Sequence, residues 1–337
     1  MSKKYKVLKI SKVLGSIHTV RESDALAKVD AELVEVADNN KSQIIEAVSN
    51  ADIIIKGDAP IPPMVMEAAL KCKAIITPGV GYDDIDVNAA TNNNIIVVNN
   101  PALEWCIEEV SNHAITLLLA CARKLIMMDN SVRHGHWAEA KKALEPMGTI
   151  YEQTLGIIGC GSIGRTTAKK AQCFGLKTLG FDPYVDKSLA RECGITLVKL
   201  PELLKESDYV SVHTNLNEET LHLMGEKEFK LMKPSAYFIN TSRGKIVDEI
   251  ALVKALEEKW IAGAGLDVFE KEPVDSDNPL IKMYNVVLTP HYGSYSDAAL
   301  MRGGPNMAAE AARILNGQWP KNVVNKTVKP KVKLVQA

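Results

Sequence analysis

Three glycines and one carboxylate carry the first recognisable chemistry in this chain. Gly159, Gly161 and Gly164 stand as G-x-G-x-x-G between an apolar run, Leu155 to Ile158, and a segment of helical character, Arg165 to Cys173. A second apolar run, Thr178 to Phe181, ends at Asp182, 18 residues beyond Gly164. That is close to the roughly 20 residues expected before an acidic group that holds an adenosine ribose. Gly159 permits the tight turn, Gly161 lets the main chain approach a pyrophosphate, and Gly164 lets helix and strand pack closely. That helix then offers free N–H groups and a positive dipole end to the phosphates, and Ser162 and Ile163 of the turn before it are taken as cofactor-binding residues. A carboxylate at Asp182 accepts from both ribose hydroxyls and repels a 2′-phosphate, which favours NAD over NADP. Arg165, nearby in sequence, would soften that preference.

Three further strand ends in the same half carry polar residues. Ala236 to Asn240 runs into Thr241, Ser242, Arg243 and Gly244; Gly263 to Val268 contains Asp267 and leads to Glu270 and Glu272; Val286 to Thr289 ends at Pro290 and His291. Doubly wound folds keep their sites at the carboxyl ends of parallel strands. Singly, an arginine before glycine or a histidine after Thr-Pro is more often a surface or capping residue. His18, His134, His136 and His222 are read that way, and His113 as a packed helix residue. The joint occurrence beside a dinucleotide loop is what points to a site.

The elements needed to position these groups are legible. Tyr5 to Ile10, Glu32 to Ala37, Asp52 to Lys56, Ala74 to Thr77 and Ile95 to Val98 read as strands. Ser42 to Val48, Pro63 to Leu70 and Val87 to Thr91 read as the helices between them. These βα units predict a flavodoxin-like parallel sheet, with Pro78, Gly79, Val80 and Gly81 as a strand-end loop. Ile107 to Arg133 is predicted as one long helix, and Gly148 to Gln153 as the linker into the dinucleotide lobe. Beyond Asp182, strands at Tyr209 to His213, Ala236 to Asn240, Gly263 to Val268 and Val286 to Thr289 alternate with helices at Pro201 to Glu206, Glu226 to Leu231 and Glu249 to Lys259. The fold class is thus α/β, with two doubly wound parallel-sheet domains, Rossmann-like and flavodoxin-like; the family resemblance given below implies a cleft between them. Ala298 to Leu315 reads as a last helix that Gly303, Gly304 and Pro305 should break or kink. The tail after Trp319 reads as extended and lysine-rich.

A length of 337 residues suits two domains, and a net charge of -1 with 24% charged residues gives no reason to expect a nucleic-acid partner. No apolar run approaches the roughly 18 to 20 residues of a membrane span, and the N-terminus lacks a signal-peptide core. The expectation is a cytoplasmic protein with no membrane partner. Cys72, Cys106, Cys121, Cys160, Cys173 and Cys193 show no metal-ligand spacing, so no metal is expected. Cys160, inside the glycine turn, is expected to pack near the cofactor.

The blocks FINTSRGKIVDE, AGLDVFEKEP and VVLTPH, with GIIGCGSIG and the earlier PGVGYDDID, resemble the signatures of the D-isomer-specific 2-hydroxyacid dehydrogenases. The likeness runs in order from about Ala51 to Asn325. It implies an NAD-dependent oxidoreductase that interconverts a small 2-oxoacid and its D-2-hydroxyacid. By that resemblance Arg243 binds the substrate carboxylate and polarises the keto oxygen, His291 is the acid/base, and Glu272 orients His291. The Val80 and Gly81 amides complete the carboxylate site, and Asp267 meets the nicotinamide carboxamide. Thr241, Ser242, Arg243, His291 and Gly293 border the same ring, while His213 and Thr214 lie near the adenosine. The family pattern also implies a split first domain, 1–103 plus 300–337, for the substrate, and 104–299 for NAD. A homodimer is expected, with the long helix and the segment around Trp137 at its contact.

The substrate is left open among glyoxylate, hydroxypyruvate, pyruvate and 3-phosphohydroxypyruvate. Lys56 would serve a distal phosphate, although Thr77 stands where an arginine is expected in phosphoglycerate-type members. The alternative is an NAD-sensing scaffold of the C-terminal-binding corepressor type, which HYGSYS resembles; there Ser294 replaces a typical cleft tryptophan.

Overall fold

Short runs of β-branched residues, apolar on both faces, build the first sheet. The computed structural model describes residues 4–11, 22–24, 26–38, 41–57, 59–77, 79–100, 104–143 and 147–336. Expectations placed on His18 and Pro78 lie outside them. The chain divides into two compact units, one of Met1–Trp105 with Ser296–Ala337, the other of Cys106–Tyr295.

The first unit holds five parallel strands, β1 (Tyr5–Ser11), β2 (Ala31–Ala37), β3 (Ile53–Lys56), β4 (Ala74–Ile76) and β5 (Ile96–Val98). Their order is β2-β1-β3-β4-β5. Successive side chains take opposite faces. Leu8, Ile54, Ile75 and Val97 pack with Ile44, Val48, Val65, Met66 and Ala90 of the helices Lys41–Ser49, Pro63–Ala68 and Val87–Asn92. Their neighbours Val7, Ile53, Ile55, Ile76, Ile96 and Val98 pack with Met307, Ala308, Ala311 and Ile314 of the helix Asp297–Leu315. Burial on both faces is what a parallel sheet covered by helices requires.

Of the break or kink expected at Gly303, Gly304 and Pro305, the break does not occur: the helix continues through all three. Pro305 is exposed, where the carbonyl one turn earlier can tilt to solvent, and the apolar stripe that follows holds the helix to the sheet. The tail after Trp319 is tied to the first sheet. Asn325 accepts from Val97 N (2.8 Å) and donates to the Ile95 carbonyl (2.9 Å), closing the free edge of β5 with a side-chain amide.

The second unit holds seven parallel strands, β6 (Thr154–Ile158), β7 (Lys177–Phe181), β8 (Thr196–Leu197), β9 (Tyr209–Val212), β10 (Tyr237–Asn240), β11 (Gly263–Leu266) and β12 (Val286–Leu288). The order β12-β11-β10-β9-β6-β7-β8 is doubly wound, and its direction reverses between β6 and β9. Ligands of such sheets sit at the carboxyl side of that reversal. β8 and the helix Lys187–Glu192 were not anticipated; two strand residues are too few to show a period.

The predicted long helix is two, Glu104–Ala122 and Leu125–Arg133, with a 60° bend between them. Lys124 adopts a left-handed conformation (φ 48°) at the join. Apolar periodicity continues across it, which is why the sequence hides the break. Residues 147–153 belong to the second unit, and the boundary falls within the first of these helices. No single helix among the described residues is long and apolar enough to cross a membrane.

Candidate active site

The glycine turn sits at the end of β6, beside the sheet's reversal point. Gly159 has φ +91°, and a Cβ there would lie 2.7 Å from Thr214 N and 2.8 Å from the His213 carbonyl. A Cβ on Gly164 would lie 2.1 Å from the Gly159 carbonyl oxygen, so this helix can approach its strand only with glycine. At Gly161 nothing lies within 4 Å of the Cβ position. Gly161 also starts the helix Ser162–Cys173 without any side-chain cap, leaving its first N–H groups available to an anion. Around this opening, His213 Nδ1 and Thr241 Oγ1 are enclosed without a hydrogen-bond partner among the described residues. An open glycine, an uncapped helix start and two orphaned polar atoms at neighbouring strand ends fit a bound dinucleotide.

Asp182 is partly committed to the fold. Its Oδ2 accepts from Cys160 N (2.8 Å), and its Oδ1 from Tyr184 N (2.8 Å) and Val185 N (3.1 Å). A carboxylate has about four lone-pair sites, so a position remains on Oδ2, fewer than two ribose hydroxyls would use. Arg165 donates to the Cys160 carbonyl (2.7 Å) and braces the same turn. Burial first, then the Asp182 charge, pushes the Cys160 thiol up to about 12, so it stays a neutral packing group.

Three separate strand ends bring Arg243, Glu272 and His291 together. His291 Nδ1 lies 2.7 Å from Glu272 Oε2, and the other Glu272 oxygen accepts from Phe269 N (3.0 Å). Burial alone would raise the Glu272 carboxyl. The His291 hydrogen bond, the Phe269 amide and the charges of His291 and Arg243 outweigh it and hold Glu272 below the usual glutamate range. Arg243 is half-buried and its Nη1 donates to the Ser242 carbonyl (2.8 Å). Ser242 Oγ in turn donates to the Val212 carbonyl (2.8 Å), tying the ends of β10 and β9 together. The His291 Nε2 makes no hydrogen bond among the described residues, and the side chain is 46% exposed. An imidazole anchored at Nδ1 and open at Nε2 is equipped to exchange a proton with a ligand.

Asp267 carries more intramolecular contacts than its sequence position suggests. It is 1% exposed, and its carboxylate faces the chain beyond β12. Oδ1 accepts from Thr289 Oγ1 (2.6 Å) and Tyr292 N (2.7 Å), Oδ2 from Gly293 N (2.8 Å), and its backbone carbonyl from His291 N (2.7 Å). Burial would raise its carboxyl, but hydrogen bonds from His113, Thr289, Tyr292 and Gly293 bring it below the usual aspartate range. Its groups therefore hold the His291 turn. His113 and Thr289 belong to this network and were not singled out for chemistry. They lie 176 residues apart, and no local pattern links them.

Within the first unit, Lys56 Nζ pairs with Asp84 (2.8 Å) and donates to the Gly57 carbonyl (3.0 Å), so its charge is already matched. Val80 and Gly81 sit in a loop whose carbonyls accept from Asn99 Nδ2 (2.9 Å) and Thr77 Oγ1 (3.3 Å). His222, read as a surface residue, pairs with Glu270 at 2.5 Å.

A doubly wound nucleotide sheet with a paired histidine and glutamate beside an arginine at its strand ends defines a nicotinamide-dependent oxidoreductase. Residues 115–293 match the family model described as D-isomer specific 2-hydroxyacid dehydrogenase, NAD binding domain. A glyoxylate reductase of Korarchaeum cryptofilum is 43% identical over 291 residues, 86% of this chain and 87% of that one. Among solved structures, a D-lactate dehydrogenase from Aquifex aeolicus complexed with NAD and lactic acid has a TM-score of 0.83 and 28% identity over 94% of this chain and 99% of that one. An NADPH-dependent glyoxylate/hydroxypyruvate reductase from Sinorhizobium meliloti, in complex with NADP and malonate, has a TM-score of 0.85 and 27% identity over 98% of this chain and 100% of that one. The chain belongs to the D-isomer-specific 2-hydroxyacid dehydrogenase family, and the corepressor alternative gains no support from these relatives.

Proposed function

We propose that this enzyme reduces a small, unphosphorylated 2-oxoacid to its D-2-hydroxyacid, with NADH preferred over NADPH. The carrying observation is the 2.7 Å His291–Glu272 pair with an open Nε2 beside Arg243. The bound nicotinamide supplies the hydride. Arg243 holds the substrate carboxylate and polarises the keto oxygen through its planar fork. His291 delivers the Nε2 proton to that oxygen, and in the reverse direction removes it. Glu272 keeps the imidazole aimed through the hydrogen bond at Nδ1. Val80 and Gly81 keep the carboxylate-binding part that the family resemblance gives them. Lys56, neutralised by Asp84, counts against a distal phosphate. Asp182, presenting its carboxylate where a 2′-phosphate would come, supports NADH. We assign the substrate to residues 1–103 and 300–337, and the cofactor to 104–299.

Glyoxylate, hydroxypyruvate, pyruvate and 3-phosphohydroxypyruvate, each followed by loss of NADH or NADPH absorbance, test the reading. Turnover with an unphosphorylated acid and a higher kcat/KM for NADH are expected. His291→Ala should lower kcat about 10²- to 10⁴-fold while NADH binding, followed by fluorescence, survives. A His291→Ala variant that keeps the wild-type rate removes the assignment.

A further inference from the structure

We infer that His113 is a positioning residue for the reaction: through Thr289 and Asp267 it fixes the turn that aims His291. The inference rests on the role proposed for His291. His113 lies on the helix Glu104–Ala122 with its side chain 19% exposed. Its Nε2 stands 2.8 Å from Thr289 Oγ1 and 3.3 Å from Asp267 Oδ1.

Proton accounting fixes the direction of this chain. A threonine hydroxyl has one proton. Thr289 spends it on Asp267 Oδ1 at 2.6 Å, because that carboxylate is held ionised and has only acceptors to offer. The Thr289 oxygen must then accept from His113, so His113 carries its proton on Nε2. The imidazole orients the hydroxyl, the hydroxyl orients the carboxylate, and the carboxylate holds the amides of Tyr292 and Gly293.

The held segment needs such an anchor. His291 has φ +56°, in the left-handed region that non-glycine residues enter at a cost. Its own N–H goes to the Asp267 carbonyl, and the next two go to the Asp267 carboxylate. Consecutive N–H groups folded around one anion form a concave nest, stable only while the anion keeps its place. The His113 ring also closes the back of the turn. A Cβ on Gly293 would lie 2.9 Å from Asp267 Oδ2 and 3.5 Å from His113 Cδ2. His113 therefore acts on the site from behind, by hydrogen bond and by shape.

The test uses the full chain, NADH and the fastest 2-oxoacid of the panel. His113→Leu keeps bulk and removes the donor, whereas His113→Gln restores an N–H near the Nε2 position. The leucine variant should lose roughly ten- to a hundredfold in kcat, as misaimed catalytic groups do, with KM for NADH within about twofold. The glutamine variant should recover most of that loss. Thr289→Val interrupts the same chain, so it should lower kcat comparably, and the double variant should fall no further than either single one. Should His113→Leu fail to fold, Thr289→Val and its rescue by Thr289→Ser carry the same test. A leucine variant at the wild-type rate overturns the inference, as do equal losses for leucine and glutamine or additive losses in the double variant. Collapse of His291→Ala beside an unaffected His113→Leu would remove this inference alone. A wild-type rate in His291→Ala would remove the proposed mechanism itself.

Discussion

His213 shows how a residue beside the cofactor loop links folding to pH. Burial pushes its imidazole down to about 3 from an ordinary 6.5. Its Nε2 meets Ser211 Oγ at 2.9 Å, while Nδ1 has no partner among the described residues. The folded chain thus keeps this ring neutral where the unfolded chain protonates it. Since the unfolded state binds the extra proton between about pH 6.5 and 3, stability rises with pH through that window and is fully present above it. Urea titrations of the wild type should show unfolding free energy falling below pH 6.5, and His213→Asn should fall less steeply. Parallel curves for the two proteins would mean that the ring is not held neutral. Much of this site was readable beforehand, because the glycine spacing and the acidic end of β7 are local patterns. Residues whose partners are distant in sequence were not. Asp182 was expected at the ribose, and it also pins the turns at Cys160 and Tyr184. Asp267 was expected at the carboxamide; the structure adds that its carboxylate also holds the turn after His291.

At the scale of elements, strands announced themselves by apolar runs, and helix ends only where a cap or a breaker stood. Lys124 shows the limit. Nothing in its side chain marks a left-handed residue, and Leu125 and Ile126 prolong the apolar pattern past it. Pro305 shows the opposite limit: a residue that reads as a break or a kink lies inside a helix that continues past it. A left-handed lysine costs about 1 kcal/mol that glycine does not pay in this conformation. Lys124→Gly should therefore raise the thermal midpoint by about 2 °C, read by calorimetry. An unchanged or lowered midpoint would show that the bend is relaxed with lysine in place, or that the lysine side chain stabilises the join by more than the backbone strain.

At the scale of the whole molecule, the segment after that bend is the least explained by a single chain. The helix Leu125–Arg133 contains no buried residue. Leu125 (56% exposed), Ile126 (55%), Val132 (48%) and Trp137 (63%) present large apolar side chains to solvent along it and just beyond. Isolated apolar residues are ordinary on a surface, but four within thirteen positions are reason to test for a contact there. A second copy of this chain is the proposed occupant, because a twofold contact pairs the same segment from both copies and so covers both at once. Light scattering of the purified protein should give twice the mass of one chain at micromolar concentration. Leu125→Asp combined with Ile126→Asp should bring it to one, since each copy would bring two carboxylates into the contact, and their desolvation cost adds to the loss of buried apolar area. A monomeric wild type, or a dimer that survives both charges with its circular dichroism unchanged, would place the contact elsewhere on the molecule.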